Sequence, residues 1–186
     1  MPLNRLSFSK FEERLVETLQ GKTPLMEVPY YICLYHPKDE FDVLESFNNL
    51  VLRIKNKGFS AEALSLAELM IEVLSDSGLL SPEVLKEEEQ MRDALERDLR
   101  RVLSEGIPET LRERLGNKNV SHCAVLLRYG GLWPFVHLSS ILQSIDGSVR
   151  CTLVIPYPSD IGTGHLLNET SSESIGYYRA EVVDLK

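Results

Sequence analysis

His122-Cys-Ala-Val-Leu-Leu-Arg128, Tyr129-Gly-Gly-Leu-Trp-Pro-Phe135, an apolar helical pattern to Ile145 and then Cys151-Thr-Leu-Val-Ile-Pro-Tyr-Pro158 follow one another between Val120 and Pro158. The pattern is strand, glycine turn, helix, strand. A unit this compact predicts a parallel crossover, with both strands in one sheet and the helix on its face. In open α/β folds the turn that leaves such a strand is where ligands or partners are met.

The regions upstream repeat the alternation. Val28 to Tyr35 is apolar on both faces, as an interior parallel strand requires. His36-Pro37 closes it, and Asp39 is positioned to cap a helix running to about Asn56, with Glu40 and Asp42 in its first turn. Leu44, Phe47, Val51 and Ile54 supply that helix's apolar stripe. A weaker strand spans Phe59 to Leu64. Ser65 and Glu68 then have capping-box spacing for the next helix, which Gly78 ends. A short helix is also expected from Ser9 to Gln20, with Ser9 and Glu12 at the same spacing.

From Ser81-Pro82 the chain becomes dense in charge, with Leu85, Met91, Leu95, Leu99 and Val102 on one apolar side. Gly106-Ile-Pro108 reads as a break, followed by a short helix from Glu109 to Leu115. This predicts a helical excursion at about 81–116, lying on the α/β body with its charges solvated, or serving as a partner-binding arm. Beyond Pro158 a polar loop runs to Ser174, and Ile175 to Leu185 reads as a last strand. The expected architecture is a single α/β domain over residues 1–186. It is layered, with a mostly parallel sheet flanked by helices and the excursion before the third strand.

Composition narrows the functional classes. The 186 residues carry a net charge of -8, which argues against a broad grip on nucleic acid. Cys33, Cys123 and Cys151 each lie in an apolar strand-like run, and no pair has C-x-x-C spacing. They read as core residues in a reducing compartment. No apolar run approaches the roughly 20 residues of a membrane helix, and the N-terminus lacks a signal-peptide core. A soluble, cytoplasmic protein is expected.

Four kinds of chemistry are compatible with residues at the strand ends and turns. A strand-end site for a nucleotide would use Tyr35, Asp39, Glu40, Gly130, Gly131 and Asp160. The chain has no Walker or dinucleotide glycine motif, and two glycines more simply make a tight turn. A metal site would use His36, Asp39 and His165, with Glu40, His137 and Asp160 nearby, but no ligand pair has a fixed metal-binding spacing. Nucleophilic catalysis lacks a G-x-S-x-G, and His122 and Cys123 are strand neighbours that point to opposite faces. No catalytic residue, metal or cofactor is therefore expected. The fourth is a recognition surface made by Leu132, Trp133, Pro134 and Phe135 together with Tyr177, Tyr178 and Arg179, residue types that dominate interface hot spots. The competing role for these side chains is to seal the edge of the core.

Several stretches together resemble the BrxB family of BREX phage-defence systems. They are Val28 to Glu40 (strand and Tyr-x-Pro-x-Asp-Glu ending), Leu69 to Leu80, the Gly130-Gly-Leu-Trp-Pro-Phe135 turn, Cys151 to Pro158 and Tyr177-Tyr-Arg-Ala180. The chain departs from the family pattern at His36, where Pro is usual, and at His137, where Arg is frequent. The resemblance implies a small α/β protein without established catalysis, acting inside a defence complex that tells self from phage DNA by methylation. It implies an adaptor whose direct partner is the phosphatase-like protein PglZ, with other BREX components as further partners. Contact with nucleic acid would then be indirect. The alternative from the residues is a divergent nucleotide-binding or nucleic-acid-processing α/β module.

Overall fold

The computed structural model describes residues 5–22, 29–159 and 180–185. The elements are α1 (Arg5–Leu19), β1 (Tyr30–Tyr35), a 3-10 turn (Pro37–Asp39), α2 (Glu40–Asn56), β2 (Ser60–Ser65), α3 (Leu66–Asp76), α4 (Pro82–Leu115), β3 (His122–Leu127), a second 3-10 turn (Tyr129–Leu132), α5 (Leu138–Ile145), β4 (Thr152–Pro158) and β5 (Ala180–Asp184). The five strands form one sheet in the order β2-β3-β4-β1-β5. Every pairing is parallel. The expected β3–α5–β4 crossover is present, with Cys123 opposite Thr152 and Val125 opposite Val154.

Strand alternation sorts the core into two layers. Ile32, Ala124, Leu126, Leu153, Ile155 and Tyr157 face α3, α4 and α5. Tyr31, Cys33, Cys123, Val125 and Val154 face α1 and α2. β1, β3 and β4 are buried on both faces, which is why their sequences are almost continuously apolar. β2 is an edge strand and buries only Ala61 and Leu64, one on each face of the sheet. There His122 of β3 lies between Ser60 and Glu62 of β2, with Nδ1 2.8 Å from the Ser60 hydroxyl and Nε2 2.8 Å from the Glu62 carboxylate. A buried imidazole thus ties the edge strand to its neighbour through side chains as well as backbone.

The expected break at Gly106-Ile-Pro108 is not there. α4 runs unbroken through Pro108. Pro in a helix interior costs about 3 kcal/mol and Gly about 1 kcal/mol. Against this, Leu103, Ile107, Leu111 and Leu115 are fully buried on one stripe that crosses the supposed break. Each such side chain contributes roughly 1.5–3 kcal/mol, so burial outweighs the two breakers. Gly106 has its own role there: a Cβ at that position would stand 2.4 Å from Val73 Cγ1 of α3. The C-terminal half of α4 is therefore a core helix wedged against α3 and α5. Leu95, Leu99 and Val102 are half-buried, whereas Leu85 and Met91 fall outside the described side chains.

Two cap expectations are also corrected. α1 begins at Arg5, so Ser9 lies inside the helix, where the Phe11, Leu15 and Leu19 stripe is buried. Asp39 makes no side-chain cap bond to α2. The 3-10 turn intervenes, and His36 Nδ1 accepts from the Lys38 amide at 3.2 Å. Ser65 and Ser81 do cap α3 and α4, accepting from Glu68 and Val84 amides. α1 is fastened to α2 by Glu12, which takes Arg53 at 2.8 Å and Lys57 at 2.7 Å. Burial would raise this carboxyl, yet those hydrogen bonds and charges hold it below the usual carboxylate value.

Candidate functional site

In an all-parallel sheet every strand ends at the same edge, so the residues that follow the strands collect there. Across the centre of this edge lie the turn after β3, the end of β4 and the end of β1. Tyr35 is in register with Pro158, and the Ser159 amide donates to the Tyr35 carbonyl at 2.8 Å. Gly130 lies against Pro158, with its ideal Cβ position 3.8 Å from Pro158 Cγ. Gly131 lies against α3, its Cβ position 3.1 Å from the Ala67 methyl. Tyr35, Asp39, Glu40, Gly130 and Gly131 thus lie at one edge of the sheet, and Asp160 lies outside the described residues.

The chemistry of that edge is largely spent on its own packing. The Tyr35 hydroxyl donates to the Glu40 carboxylate. Burial pushes the Tyr35 phenol far up, and the bond and charge of Glu40 add to it. Gly131 allows the close approach of Ala67, which is a packing role, whereas a Cβ at Gly130 would meet Pro158 at ordinary contact distance. His36 caps its own turn, and His137 stands exposed at the start of α5 without a side-chain cap bond. Among the described residues no group of three His, Cys, Asp or Glu side chains is arranged to hold a metal ion. His165 lies outside them. The three cysteines are free and buried. Burial pushes the Cys123 and Cys151 thiols up to about 12 and Cys33 well above its usual value, so none is an activated nucleophile.

The turn after β3 is constructed differently. Arg128 leaves the strand in the left-handed region at φ 59, and residues Tyr129–Leu132 make one 3-10 turn. Tyr129 is buried and stacks on Tyr157 of β4, with ring centroids 4.9 Å apart. Its hydroxyl donates to the Val136 carbonyl at 3.3 Å and accepts from the Leu138 amide at 2.9 Å. One side chain thereby closes the whole loop from the turn to α5. Arg100 of α4 holds the outside, donating to the Pro134 carbonyl at 3.0 Å and pairing with Glu96.

On this frame Trp133 is 53% exposed, and Pro134, joined to it by a cis peptide bond, is exposed as well. Phe135 is half-buried and packs on the core. Leu132 is fully buried, so its place in the expected contact surface is corrected: it supports the turn from beneath because its apolar side chain fills the α3–α5 layer. Tyr177, Tyr178 and Arg179 lie outside the described residues. Sequence reasoning missed Tyr129, hidden between Arg128 and the glycines, and Arg100, one charge among many on α4. It also missed Phe41, which is 84% exposed in the first turn of α2. Its position just after an acidic cap region gave no sign that it faces solvent.

A family profile described as "BREX protein BrxB" matches residues 62–183, from within β2 into β5. No curated protein matches the chain. A chain in the solved "Structure of Drosophila ORC bound to AT-rich DNA and Cdc6" is similar at 16% identity and a TM-score of 0.41, over 97% of this chain and 29% of that one. A likeness of that size carries no argument about function. Among the described residues no helix is long and apolar enough to cross a membrane.

Proposed function

This chain belongs to the BrxB family of BREX proteins, and on that premise we propose that it is a non-catalytic adaptor that docks the PglZ-like protein of its defence locus through the Trp133–Pro134 turn. Family membership makes it a component of BREX phage defence, with other BREX components as its partners. The adaptor role is the finer reading. In that reading the protein works in the cytoplasm, needs no cofactor and meets DNA only through its partners. Tyr177, Tyr178 and Arg179 are the second part of the proposed contact.

The observation that carries the reading is the way Trp133 is displayed. A large aromatic side chain stands in solvent on a loop locked by Tyr129 from inside and Arg100 from outside. A loop ordered before binding loses little entropy on binding, and Trp is the residue type most enriched at hot spots. Among the described residues of the same edge, Tyr35 and Glu40 are bonded to each other and Gly131 is packed on Ala67, which supports an interaction role.

The test is co-expression with the PglZ-like protein, followed by size-exclusion chromatography with light scattering. Trp133→Ala should leave the domain folded and weaken the complex by roughly 30-fold or more, the equivalent of a hot spot of about 2 kcal/mol. A complex of undiminished affinity with Trp133→Ala would overturn the assignment of this surface.

A further inference from the structure

Resting on the adaptor reading, we infer that Arg128 is a second anchor of the docking turn, and that it receives a carboxylate of the partner protein beside the pocket that takes Trp133. The backbone singles Arg128 out. Among the described residues φ is positive at Gly21, Gly58, Gly78, Gly147 and Arg128, so every such position but one carries glycine. At φ 59 the Cβ of Arg128 crowds the following carbonyl, a conflict that glycine would avoid. The sequence keeps an arginine there, although glycines stand two and three residues on. Outliers of this kind cluster at ligand clamps and other functional sites.

The side chain has no partner in the described fold. Arg128 is exposed and makes no cap bond to the 3-10 turn it precedes. Among the described residues its guanidinium has no hydrogen bond or ion pair. Yet it belongs to the same turn as Trp133. The two residues are the N-cap and C-cap of Tyr129–Leu132. At a rise of about 2.0 Å per residue their Cα atoms are about 10 Å apart, on the frame that Tyr129 locks. Arg100, the other cation beside this turn, is already engaged: it pairs with Glu96 and donates to the Pro134 carbonyl.

Chemistry selects the occupant. A guanidinium presents a planar fork of N–H donors that fits the oxygen pair of a carboxylate or a phosphate. The net charge of -8 disfavours the phosphate backbone of a nucleic acid. Trp and Arg together are the residue types most enriched at protein hot spots. A carboxylate on a protein is the match that both observations favour.

The experiment measures affinity for the co-expressed PglZ-like protein at low and high salt, beside melting temperatures and binding to duplex DNA. Arg128→Gly should raise the melting temperature by about 2 °C. It should weaken binding at least about tenfold at low salt, with a smaller loss at high salt. Arg128→Lys, which keeps the charge but not the fork, should fall between Arg128→Gly and wild type. Trp133→Ala should weaken binding at both salt concentrations. Undiminished binding with Arg128→Gly, beside a loss with Trp133→Ala, overturns this inference and leaves the adaptor reading standing. A melting temperature lowered by Arg128→Gly would tie the guanidinium to this chain's own fold, and overturns it too. So does a loss of duplex DNA binding with Arg128→Gly while the protein complex persists undiminished. No complex with the wild-type chain overturns both.

Discussion

Replacing Gly106 with Ala should destabilise this protein, although Ala is the better helix former. In a helix interior the exchange gains about 1 kcal/mol. Here the new methyl would stand 2.4 Å from Val73 Cγ1 and 3.2 Å from Cγ2, well inside the roughly 3.5–4 Å at which carbon atoms rest. Val73 cannot turn away easily, because a β-branched side chain in a helix holds essentially one rotamer and this one is buried. Overpacking of this kind costs about 1–3 kcal/mol. The net expectation is a loss of about 1 kcal/mol, or roughly 0.5 M in the urea midpoint at a slope of about 2 kcal/mol/M. Removing the obstacle should reverse the sign. Val73→Ala alone should cost about 2 kcal/mol through lost burial and a cavity. Gly106→Ala in that background should then regain about 1 kcal/mol, a coupling of about 2 kcal/mol in the double-mutant cycle. Urea unfolding followed by circular dichroism reads all four variants. Stabilisation by Gly106→Ala in the wild-type background would refute the notch, and with it the explanation of how α4 passes this point.

Three further outcomes follow from the geometry. Tyr129→Phe keeps the stacking on Tyr157 but strips the buried Leu138 amide of its acceptor, so it should cost about 1–3 kcal/mol and weaken partner binding, and unchanged amide exchange at Leu138 would contradict it. His122→Phe preserves a ring between β2 and β3 while losing both side-chain bonds; a loss of about 1–3 kcal/mol is expected, and equal or greater stability would show that the edge strand does not depend on them. The buried thiols give a pH dependence. In the unfolded chain they ionise near 8.5, whereas Cys123 and Cys151 hold their protons in the fold to about 12. Stability should therefore be undiminished below about pH 8.5 and drain away as pH rises from there toward 12; a flat profile through that range, or prompt native-state reaction with a thiol reagent at pH 8, would count against it.

The central crossover was legible because both of its strands are apolar on both faces and its helix has one clear stripe, signals that local sequence carries by itself. Strand order was not, since nothing near Tyr30 says that its neighbours will be Leu153 and Ala180. The α4 error has the same origin. Gly106 and Pro108 are breakers when judged by their neighbours, and only α3, thirty residues upstream in the chain, explains why the helix tolerates them. At the strand-end edge, strand ends read from the sequence put Tyr35, Asp39, Glu40 and the glycine pair at one side of the sheet. It could not show that Tyr35 and Glu40 bond to each other, or that Gly131 makes room for Ala67. Leu132 and Trp133 are adjacent apolar residues in one turn, and only the packing beneath separates support from display.

The position of β1 has a consequence for synthesis. This strand leaves the ribosome long before β4 and β5, which flank it in the finished sheet. At a translation rate of about 5–20 residues per second, Tyr30 to Tyr35 wait on the order of ten seconds for a partner on either side. The waiting segment is Tyr-Tyr-Ile-Cys-Leu-Tyr, without charge or proline, the kind of hexamer that readily recruits another nascent chain. Helices α1 and α2 can shelter one of its faces in the interval, but not its two edges. Yield in the cell should accordingly depend on chaperone supply and elongation speed more steeply than the stability of the finished protein would suggest.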